Sequence, residues 1–325
     1  MEDTLPELYW NLLLERIKDG ECTPFLGAGA CAGVLPLGSE IAERWARDEG
    51  YPLDDCTDLA RVAQFLAVQY DAIRPKQELI RQFRRVEAPN FTNPYEPHRV
   101  LADLPLPVYI TTNYDNFLFQ ALSQAEYAPG LKKSPVREVC RWNKYIQTKF
   151  KHQSTLHRQS SYSRITEKTP VIFHLHGHAE LAESMVLTED DYLDFLVNIS
   201  KDEDLLPPRI QEAMAGTSLL FLGYRLSDWN FRVLFRSVVG YLEKSIARAH
   251  ISVQLVPLKE GHSDEQRSKA QAYLQRYFGD LKIQVYWGTA ASFTRELRDR
   301  WQRYSKQEEY QDVRGVSTIH RSPSL

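Results

Sequence analysis

The sequence has few cysteines, and they are scattered along the chain. The four are Cys22, Cys31, Cys56 and Cys140, and no two of them form a Cys-x-x-C pair. This spacing argues against a structural zinc module and is typical of a protein from a reducing compartment.

Long apolar runs are absent as well. No run approaches the roughly 20 residues that are needed to span a bilayer. The first residues, Met1 to Thr4, lack the basic start and the apolar stretch of a secretory signal. We therefore expect a cytoplasmic protein that does not engage a membrane.

Neither sign of charge dominates the composition. The chain has 40 Lys and Arg against 43 Asp and Glu, and its net charge is −3. This balance gives no overall case for binding nucleic acid or an anionic membrane. The apolar fraction of 43% is enough for a substantial core. A length of 325 residues suits one large domain, or a main domain with a helical lobe.

A glycine-rich stretch lies near the amino end of the sequence. Residues 23–33, TPFLGAGACAG, predict a short buried strand that stops in a tight turn, and a helix is predicted from Pro36 to Arg47. A strand, a glycine turn and a helix in this order place backbone N–H groups where phosphate binds. The spacing departs from the usual Gly-x-Gly-x-x-Gly, because Gly33 falls one place late. The same stretch is also compatible with a plain tight turn.

Strand patterns alternate with helix patterns over the rest of the chain. Further strands are predicted over 108–112, 171–178, 218–224, 251–256 and 283–287. Helices are predicted over 5–18, 41–47, 58–70, 77–86, 99–104, 117–125, 189–199, 206–215, 227–242, 264–278 and 291–304. This alternation predicts an α/β fold, namely a Rossmann-like doubly wound parallel sheet with an inserted helical lobe at about 38–105. We expect one domain over 1–304 and a flexible polar tail over 305–325.

The segment from about 131 to 165 is basic and aromatic. It holds nine Lys or Arg against one acid, Glu138, with aromatic residues between them. Such a mixture binds nucleic acid or an acidic partner in some proteins. More often, a charged run of this kind is a solvated excursion on the surface.

Polar residues collect where three of the predicted strands end. Asn113 to Asn116 follow one strand, His174, His176 and His178 end the next, and Gly223 ends a third. Parallel sheets bind ligands at the carboxyl ends of their strands. Each of these residues also has a structural interpretation: Asn and Asp cap helices, and a histidine on an apolar strand is often a core residue.

Four short motifs, in this order, resemble those of the sirtuins. Gly27-Ala28-Gly29 resembles their phosphate loop, and Thr112-Asn113-Tyr114-Asp115 resembles their Thr-Gln-Asn-Ile-Asp stretch. His176-Gly177 is similar to the His-Gly that carries their catalytic base. Gly223-Tyr224-Arg225 stands where sirtuins have Gly-Thr-Ser near the adenosine ribose. The resemblance covers about residues 22 to 290, in islands.

Within this resemblance, the chain looks more like bacterial sirtuin-like NAD hydrolases of antiphage defence than like protein deacetylases. The run FLGYRLSDWN favours the former, and the four-cysteine zinc module of the deacetylases is missing. The loop after Gly29 is also one residue shorter than in deacetylases. The resemblance implies a zinc-independent NAD+ glycohydrolase that releases nicotinamide and ADP-ribose, and so depletes NAD in abortive defence.

The resemblance also implies which residues carry the reaction. Asn113 is expected to hold the ribose and position water, because an amide both donates and accepts hydrogen bonds. His176 is expected to be the base, since the pKa of an unperturbed imidazole lies near neutrality. NAD is expected as the substrate, with no metal. The residues expected to bind it are Gly27, Ala28, Gly29, Thr112, Asp115, Gly223 and Tyr224.

Two other functions remain open at this stage. His174, His176 and His178 have the H-x-H spacing of some zinc hydrolases, which indicates a metal-dependent hydrolase as one alternative. A non-enzymatic subunit that senses NAD or ADP-ribose is the other. The resembling enzymes work as homo-oligomers or beside an ATPase such as a HerA-type translocase, so both kinds of partner are expected. Contact between nucleic acid and residues 131–165 is a further expectation.

Overall fold

The fold is built on a sheet of seven strands, all parallel. The computed structural model describes residues 5–150, 165–202, 205–224, 250–254, 263–280 and 282–319, with side chains described as far as 308. The strands of this sheet are β1 (Cys22–Leu26), β2 (Val108–Thr111), β5 (Val136–Val139), β6 (Val171–His174), β7 (Ser218–Leu222), β8 (His250–Gln254) and β9 (Ile283–Trp287). A separate hairpin pairs β3 (Glu126–Ala128) with β4 (Leu131–Lys132).

Helices connect most of these strands. They are α1 (Glu7–Lys18), α2 (Gly38–Glu49), α3 (Leu59–Gln69), α4 (Arg74–Phe83), α5 (Pro97–Asp103), α6 (Phe117–Gln124), α7 (Lys144–Lys149), α8 (Glu189–Lys201), α9 (Pro208–Gly216), α10 (Asp264–Gly279) and α11 (Ala290–Ile319). The order of elements confirms the predicted α/β fold. The predicted helix over 227–242 lies outside the described residues.

The strand order is β5-β6-β2-β1-β7-β8-β9. From β1 the chain first builds outward through β2 and β6, and it later returns to the other side of β1 to add β7, β8 and β9. This reversal is the topological switch point of a doubly wound sheet, where ligands bind outside the carboxyl ends of the strands. The sheet is therefore Rossmann-like, as the sequence predicts, with β5 as an additional edge strand.

Successive residues of the central strands face opposite layers of helices. In β7, Leu220 joins a core with Trp10 of α1 and Phe293 of α11. Phe221 joins the other core, with Phe195 of α8. Because both faces are covered, these strands are buried throughout and mostly apolar, and this made them recognisable in the sequence.

The helices between β1 and β2 divide into two groups. Helices α2, α3 and α4 bury a separate cluster around Trp45, Val62 and Leu79, which also takes in Met185 and Leu187 from the segment before α8. Helix α5 instead packs against α6 and α11 beside the main sheet. The inserted helical lobe thus consists of α2 to α4, and the last predicted helix of that stretch belongs to the main core.

The basic segment is part of the fold over residues 131–150. β5 pairs with β6 along its whole length, and Cys140, Trp142 and Ile146 are buried. The prediction of a solvated excursion is wrong there, because a high density of charge hides the buried positions between the cations. Lys133 is buried as well, and Arg137 forms an ion pair with Glu180. Residues 151–164 lie outside the described part of the chain.

The last helix is longer than the sequence suggests. α11 continues from Ala290 to Ile319, whereas the sequence predicts a helix to Tyr304 and a polar tail from Ser305. Lys, Gln and Glu are good helix formers, so a polar composition does not by itself distinguish a solvated helix from a tail. An ion pair between Lys18 and Glu308 ties this extension to α1. Within the part of the chain that the structure describes, none of the helices combines the length and the apolarity needed to cross a bilayer.

Candidate functional site

Strand pairing aligns the carboxyl ends of four strands side by side at one edge of the sheet. Leu26, the last residue of β1, pairs with Thr111 of β2 and with Leu222 of β7. Thr111 in turn pairs with His174, the last residue of β6. The residues that follow these positions line the carboxyl edge of the sheet on both sides of the switch point, and they are Gly27, Thr112, Leu175 and Gly223.

The glycine turn after β1 contacts the end of β7. Residues 28–31 form one turn of 3₁₀ helix, and α2 begins only at Gly38. The N–H of Gly27 donates to the carbonyl of Leu222 at 2.8 Å, and the N–H of Gly29 donates to that of Gly223 at 2.9 Å. Two of the N–H groups that the sequence assigned to phosphate therefore join β1 to β7. Phosphate binding by this turn stays a prediction, with Ala28 as its exposed residue.

Gly223 allows this close approach. Its φ is +77°, which side chains rarely adopt, and a Cβ there would lie 2.2 Å from the nitrogen of Ala30. The same Cβ would lie 2.7 Å from the carbonyl oxygen of Gly27. Both the conformation and the space therefore require glycine.

Tyr224 spans the switch point. Its hydroxyl donates to the carbonyl of Leu26 at 2.8 Å and lies 2.9 Å from Oγ1 of Thr112. Its ring covers Gly27, where an added Cβ would lie 2.8 Å from the nearest ring carbon. Burial raises the pKa of Tyr224, so the phenol is neutral and can donate. The structure thus brings together three of the predicted NAD-binding residues.

Asn113 turns toward the glycine turn and not toward the helix that follows it. Its Nδ2 donates to the carbonyl of Gly27 at 3.1 Å and to Sγ of Cys31 at 3.4 Å. Its own N–H donates to Oγ1 of Thr111 at 3.0 Å. The side chain is therefore held in one orientation by groups from β1 and β2, and its structural interpretation as a helix cap is wrong.

Asp115 has a structural contact and a contact inside the site. Its Oδ1 accepts the N–H of Phe117 at 2.9 Å, at the start of α6. Its Oδ2 accepts the thiol of Cys31 at 3.3 Å. Burial and this carboxylate raise the pKa of Cys31 well above its usual value, so the thiol is protonated and donates.

The three histidines after β6 do not converge on one point. The Nδ1 of His174 donates to the carbonyl of Asn113 at 3.1 Å, and its ring centroid lies 4.6 Å from that of His178. The ring of His176 packs instead against Tyr192 and Phe195, at centroid distances of 5.3 Å and 5.0 Å. This divergence does not favour the metal-dependent hydrolase that the H-x-H spacing indicated.

Two of these histidines carry an unsatisfied nitrogen. The Nε2 atoms of His174 and His176 are buried, and neither has a hydrogen-bond partner in the described part of the chain. Burial lowers the pKa of both rings to about 3, so both are neutral near pH 7, and the near-neutral pKa that the sequence argument assumed for His176 does not hold in the buried ring. Buried polar atoms without partners are rare, and a bound ligand is one reason for them.

The predicted catalytic pair, Asn113 and His176, is not joined by a hydrogen bond in the described part of the chain. The backbone of Asn113 is bonded instead to His174, which the sequence did not select as the base. Alternation along an extended strand does not reveal which of two histidines turns toward β2, so the sequence held no signal for this choice.

The sequence also missed Cys31, His98 and Glu96. Sγ of Cys31 lies 3.7 Å from Nε2 of His98, although the two residues are 67 positions apart. Nδ1 of His98 donates to Glu96 at 2.7 Å. Packing of α5 against α6 brings this histidine to the turn after β1, where its ring lies 5.9 Å from that of Phe117.

A cavity lies at the opposite edge of the sheet. Its volume is about 260 Å³, and its lining includes Glu21, Thr23, Val108 and Arg209. These positions mark the amino ends of β1 and β2, away from every predicted site residue. Ligands of doubly wound sheets bind at the carboxyl edge, so the residues around Gly27 and Asn113 remain the candidate site.

The chain is similar in sequence to several known proteins. The chain is 23% identical to the NAD(+) hydrolase ThsA of Enterococcus faecium over 78% of its own length and 47% of that protein. It is 23% identical to the ThsA of Bacillus cereus over 80% and 48% of the two chains. For the ThsA of Cytobacillus dafuensis, the identity is 26% over 66% and 37%. The chain thus spans about half the length, or less, of the curated relatives that it matches.

A family model describes a large part of the chain. The model of the SIR2-like domain matches residues 107–280, which is more than half of the sequence. The matched region runs from β2 through β6 and β7 to α10, and it includes Asn113, His176 and Gly223. The strand order, the switch point and this match lead to one conclusion: the chain belongs to the SIR2-like family.

Proposed function

We propose that this protein is an NAD+ glycohydrolase, which cleaves the bond between nicotinamide and ribose to give nicotinamide and ADP-ribose. One observation supports the proposal: after the carboxyl ends of β2 and β6 in a SIR2-like fold, the amide of Asn113 is held in one orientation, and two neutral imidazoles have a buried Nε2 without a hydrogen-bond partner among the described residues. The relatives named NAD(+) hydrolases support the same activity.

The reaction needs little from the protein. The nicotinamide nitrogen of NAD+ is positively charged, so nicotinamide leaves as a neutral molecule without a general acid. Cleavage builds oxocarbenium character on the ribose, as in glycosidases. The protein must hold the sugar, orient a water molecule and accept a proton from it. A metal ion is not required by this scheme.

Asn113 suits the first two tasks. Its amide nitrogen is fixed by Gly27 and Cys31, so the group is oriented before substrate binds. Orientation in advance lowers the entropy lost on reaching the transition state. An uncharged amide also hydrogen-bonds both a ribose hydroxyl and a water molecule without forming a strong ion pair with the developing cation.

His176 is the proposed base, and His174 is its competitor. Both rings are neutral, and the Nε2 of each has no hydrogen-bond partner among the described residues. His176 matches the motif of the family, whereas His174 is bonded to the backbone of Asn113. The absence of a hydrogen bond between Asn113 and His176 is compatible with this assignment, because the bound ribose would lie between the two side chains.

The remaining residues are proposed to hold NAD. Thr112 and Tyr224 lie across the switch point from each other, and the Gly27 to Gly29 turn lies beneath the ring of Tyr224. A pyrophosphate at that turn would have this ring as its neighbour, with Ala28 as the exposed residue. Asp115 is proposed to bind the carboxamide of nicotinamide, and Gly223 to line the adenosine end.

Product analysis of NAD+ incubated with the purified protein tests the proposal. We expect nicotinamide and ADP-ribose from the wild type, and a rate reduced roughly 100-fold or more in Asn113→Ala and in His176→Ala. His250→Gln is the matched control, because it removes another buried histidine from the far end of β8, and we expect it to retain the rate.

Each other outcome has a defined meaning. If His174→Ala loses activity while His176→Ala keeps it, the base is His174. If the wild type binds NAD+ but leaves it intact with its partners present, the protein is a sensor and the proposal fails. Equal losses in all variants, with lowered melting temperatures, would trace the effect to folding.

We further propose a role in abortive antiphage defence, in which a cytoplasmic, assembled protein depletes NAD. The names of the relatives support the enzyme activity, and the sirtuin-like motifs support the role. An unregulated NADase would kill its own cell, so activity is expected only in a homo-oligomer or beside a co-encoded HerA-type ATPase.

The expected assembly is tested by measuring the mass of the protein in solution, by itself and mixed with that ATPase. A fully active monomer would contradict it. Nucleic-acid contact through 131–165 stays a prediction.

A further inference from the structure

Three potential metal ligands meet beside the glycine turn. They are Sγ of Cys31, Nε2 of His98 and a carboxylate oxygen of Asp115, and all three atoms lie within 4.8 Å of one another. In the described part of the chain, this is the only group of three or more His, Cys, Asp or Glu residues that is close enough to hold one ion. Distances of 3.3 Å and 3.7 Å from Sγ to the other two atoms need little adjustment to bind one centre.

The surroundings of His98 match those of a metal-binding histidine. Its Nδ1 donates to Glu96 at 2.7 Å, which fixes the ring and leaves Nε2 facing Sγ of Cys31. A carboxylate behind the histidine is the usual second contact of zinc ligands, and it strengthens them as donors. Glu96 is held in turn by the N–H of Arg99.

Charge and access also suit a divalent ion. Cys31 and His98 are buried, while Asp115 is partly exposed and opens one side of the cluster. A thiolate and a carboxylate together balance the two positive charges of a zinc ion, so the buried centre would be neutral. On binding, the thiol proton of Cys31 would pass to solvent.

We propose that Cys31, His98 and Asp115 form a zinc-binding site, supported by Glu96. One sulfur, one imidazole and one carboxylate form a donor set that Zn²⁺ accepts readily, whereas Mg²⁺ and Ca²⁺ prefer oxygen ligands alone. A fourth position remains for water. The site is distinct from the zinc module of the deacetylases, which this sequence lacks, and the NAD chemistry proposed above needs no metal ion, although it shares Asp115 with the site.

Because of where the site lies, we expect bound zinc to affect NAD+ cleavage, and this expectation rests on the proposed function. Asp115 is the residue proposed to bind the nicotinamide carboxamide, and Asn113 donates to the same sulfur that would bind zinc. A bound ion would occupy Asp115 and change the partner of Asn113. We therefore expect zinc to inhibit NAD+ cleavage, and a chelator to restore it.

Zinc binding is measured directly, without reference to activity. Metal-free full-length protein is titrated with Zn²⁺ in competition with a fluorescent chelator. We expect one tight site, a dissociation constant at least about 100-fold weaker in Cys31→Ser and in His98→Ala, and one roughly 10-fold to 100-fold weaker in Glu96→Gln. Cys140→Ser removes another buried thiol and should bind zinc as the wild type does.

X-ray absorption at the zinc edge of the wild-type protein needs no variant. We expect one sulfur at about 2.3 Å with nitrogen and oxygen neighbours at about 2.0–2.2 Å. A spectrum without sulfur, or equal zinc affinity in wild type and Cys31→Ser, overturns the proposal. If Cys31→Ser does not fold, Asp115→Asn serves in its place, since an amide oxygen can still accept the N–H of Phe117. A zinc site without NAD+ cleavage would leave this inference standing and refute the proposed function alone.

Discussion

At the switch point, the lack of room for a side chain decides which residue is tolerated as much as the chemistry of the residue does. Gly223 and Gly33 both have positive φ, of +77° and +85°. A Cβ on Gly223 would overlap the backbone of Ala30, whereas a Cβ on Gly33 would meet no atom within 4 Å. Alanine substitutions at the two positions therefore distinguish the free-energy cost of a positive φ, which both would have, from the cost of steric overlap, which only the substitution at Gly223 would have.

We predict that Gly223→Ala lowers the free energy of unfolding by about 3 kcal/mol or more, because left-handed strain and overpacking add. Gly33→Ala should cost about 1 kcal/mol, from conformation alone. Urea denaturation of both variants measures the difference. Equal losses would show that the turns after β1 and β7 can separate without cost, against the close contact in the structure.

At the scale of elements, a largely buried ion pair links the helical lobe to the main domain, besides a more exposed pair made by Arg61 of α3. Nζ of Lys76 in α4 lies 2.9 Å from Oδ1 of Asp191 in α8, and the two side chains are 7% and 15% exposed. Asp191 also accepts the N–H groups of Leu187 and Thr188, which lead into α8. The pair therefore holds both the lobe and the start of α8.

Removal of Lys76 should leave a largely buried carboxylate without its cation. We predict that Lys76→Met lowers the free energy of unfolding by about 3 kcal/mol. Arg81→Met is the control on the same helix, because Arg81 pairs with Glu78 at the surface and should contribute less than about 1 kcal/mol. Thermal and urea denaturation measure both, and similar effects in the two variants would contradict a special role for Lys76.

At the scale of the whole molecule, buried neutral histidines set the response to acid. Burial lowers the pKa of His174 and His176 to about 3 and that of His250 to about 4. In the unfolded chain these groups titrate near 6.5. As the pH falls below about 6.5, the unfolded state takes up protons first, and the folded state loses stability relative to it.

We predict that stability falls steadily between pH 7 and pH 5, with each of these three histidines contributing about 2 kcal/mol by pH 5. Urea denaturation at several pH values measures the slope. The slope should be smaller by one proton in His250→Gln, which lacks one of the three groups. A free energy of unfolding that stays constant over this range would show that these rings are protonated within the folded protein.

The sequence determined where the central strands lie, but not every end, since the strand predicted over 171–178 stops at His174 and the one predicted over 218–224 stops at Leu222. β1, β2, β6 and β7 are mostly apolar because helices cover both faces of the sheet, and this local pattern can be recognised without knowledge of the fold. The positions of Gly27, Asn113 and Gly223 after those strands followed directly. β5 escaped prediction because none of its four residues is fully buried and the two central ones are charged, and the extension of α11 escaped because it is polar.

Only the tertiary structure decided which of these side chains meet. Strand order and helix packing set the distances between strand ends, and neither can be read from the spacing of residues along the chain. For this reason Asn113 lies against Cys31 and His174, His176 lies against Tyr192, and His98 reaches the site from a helix that showed no motif. Local sequence fixes what a residue can do, and contacts between distant elements fix what it acts upon.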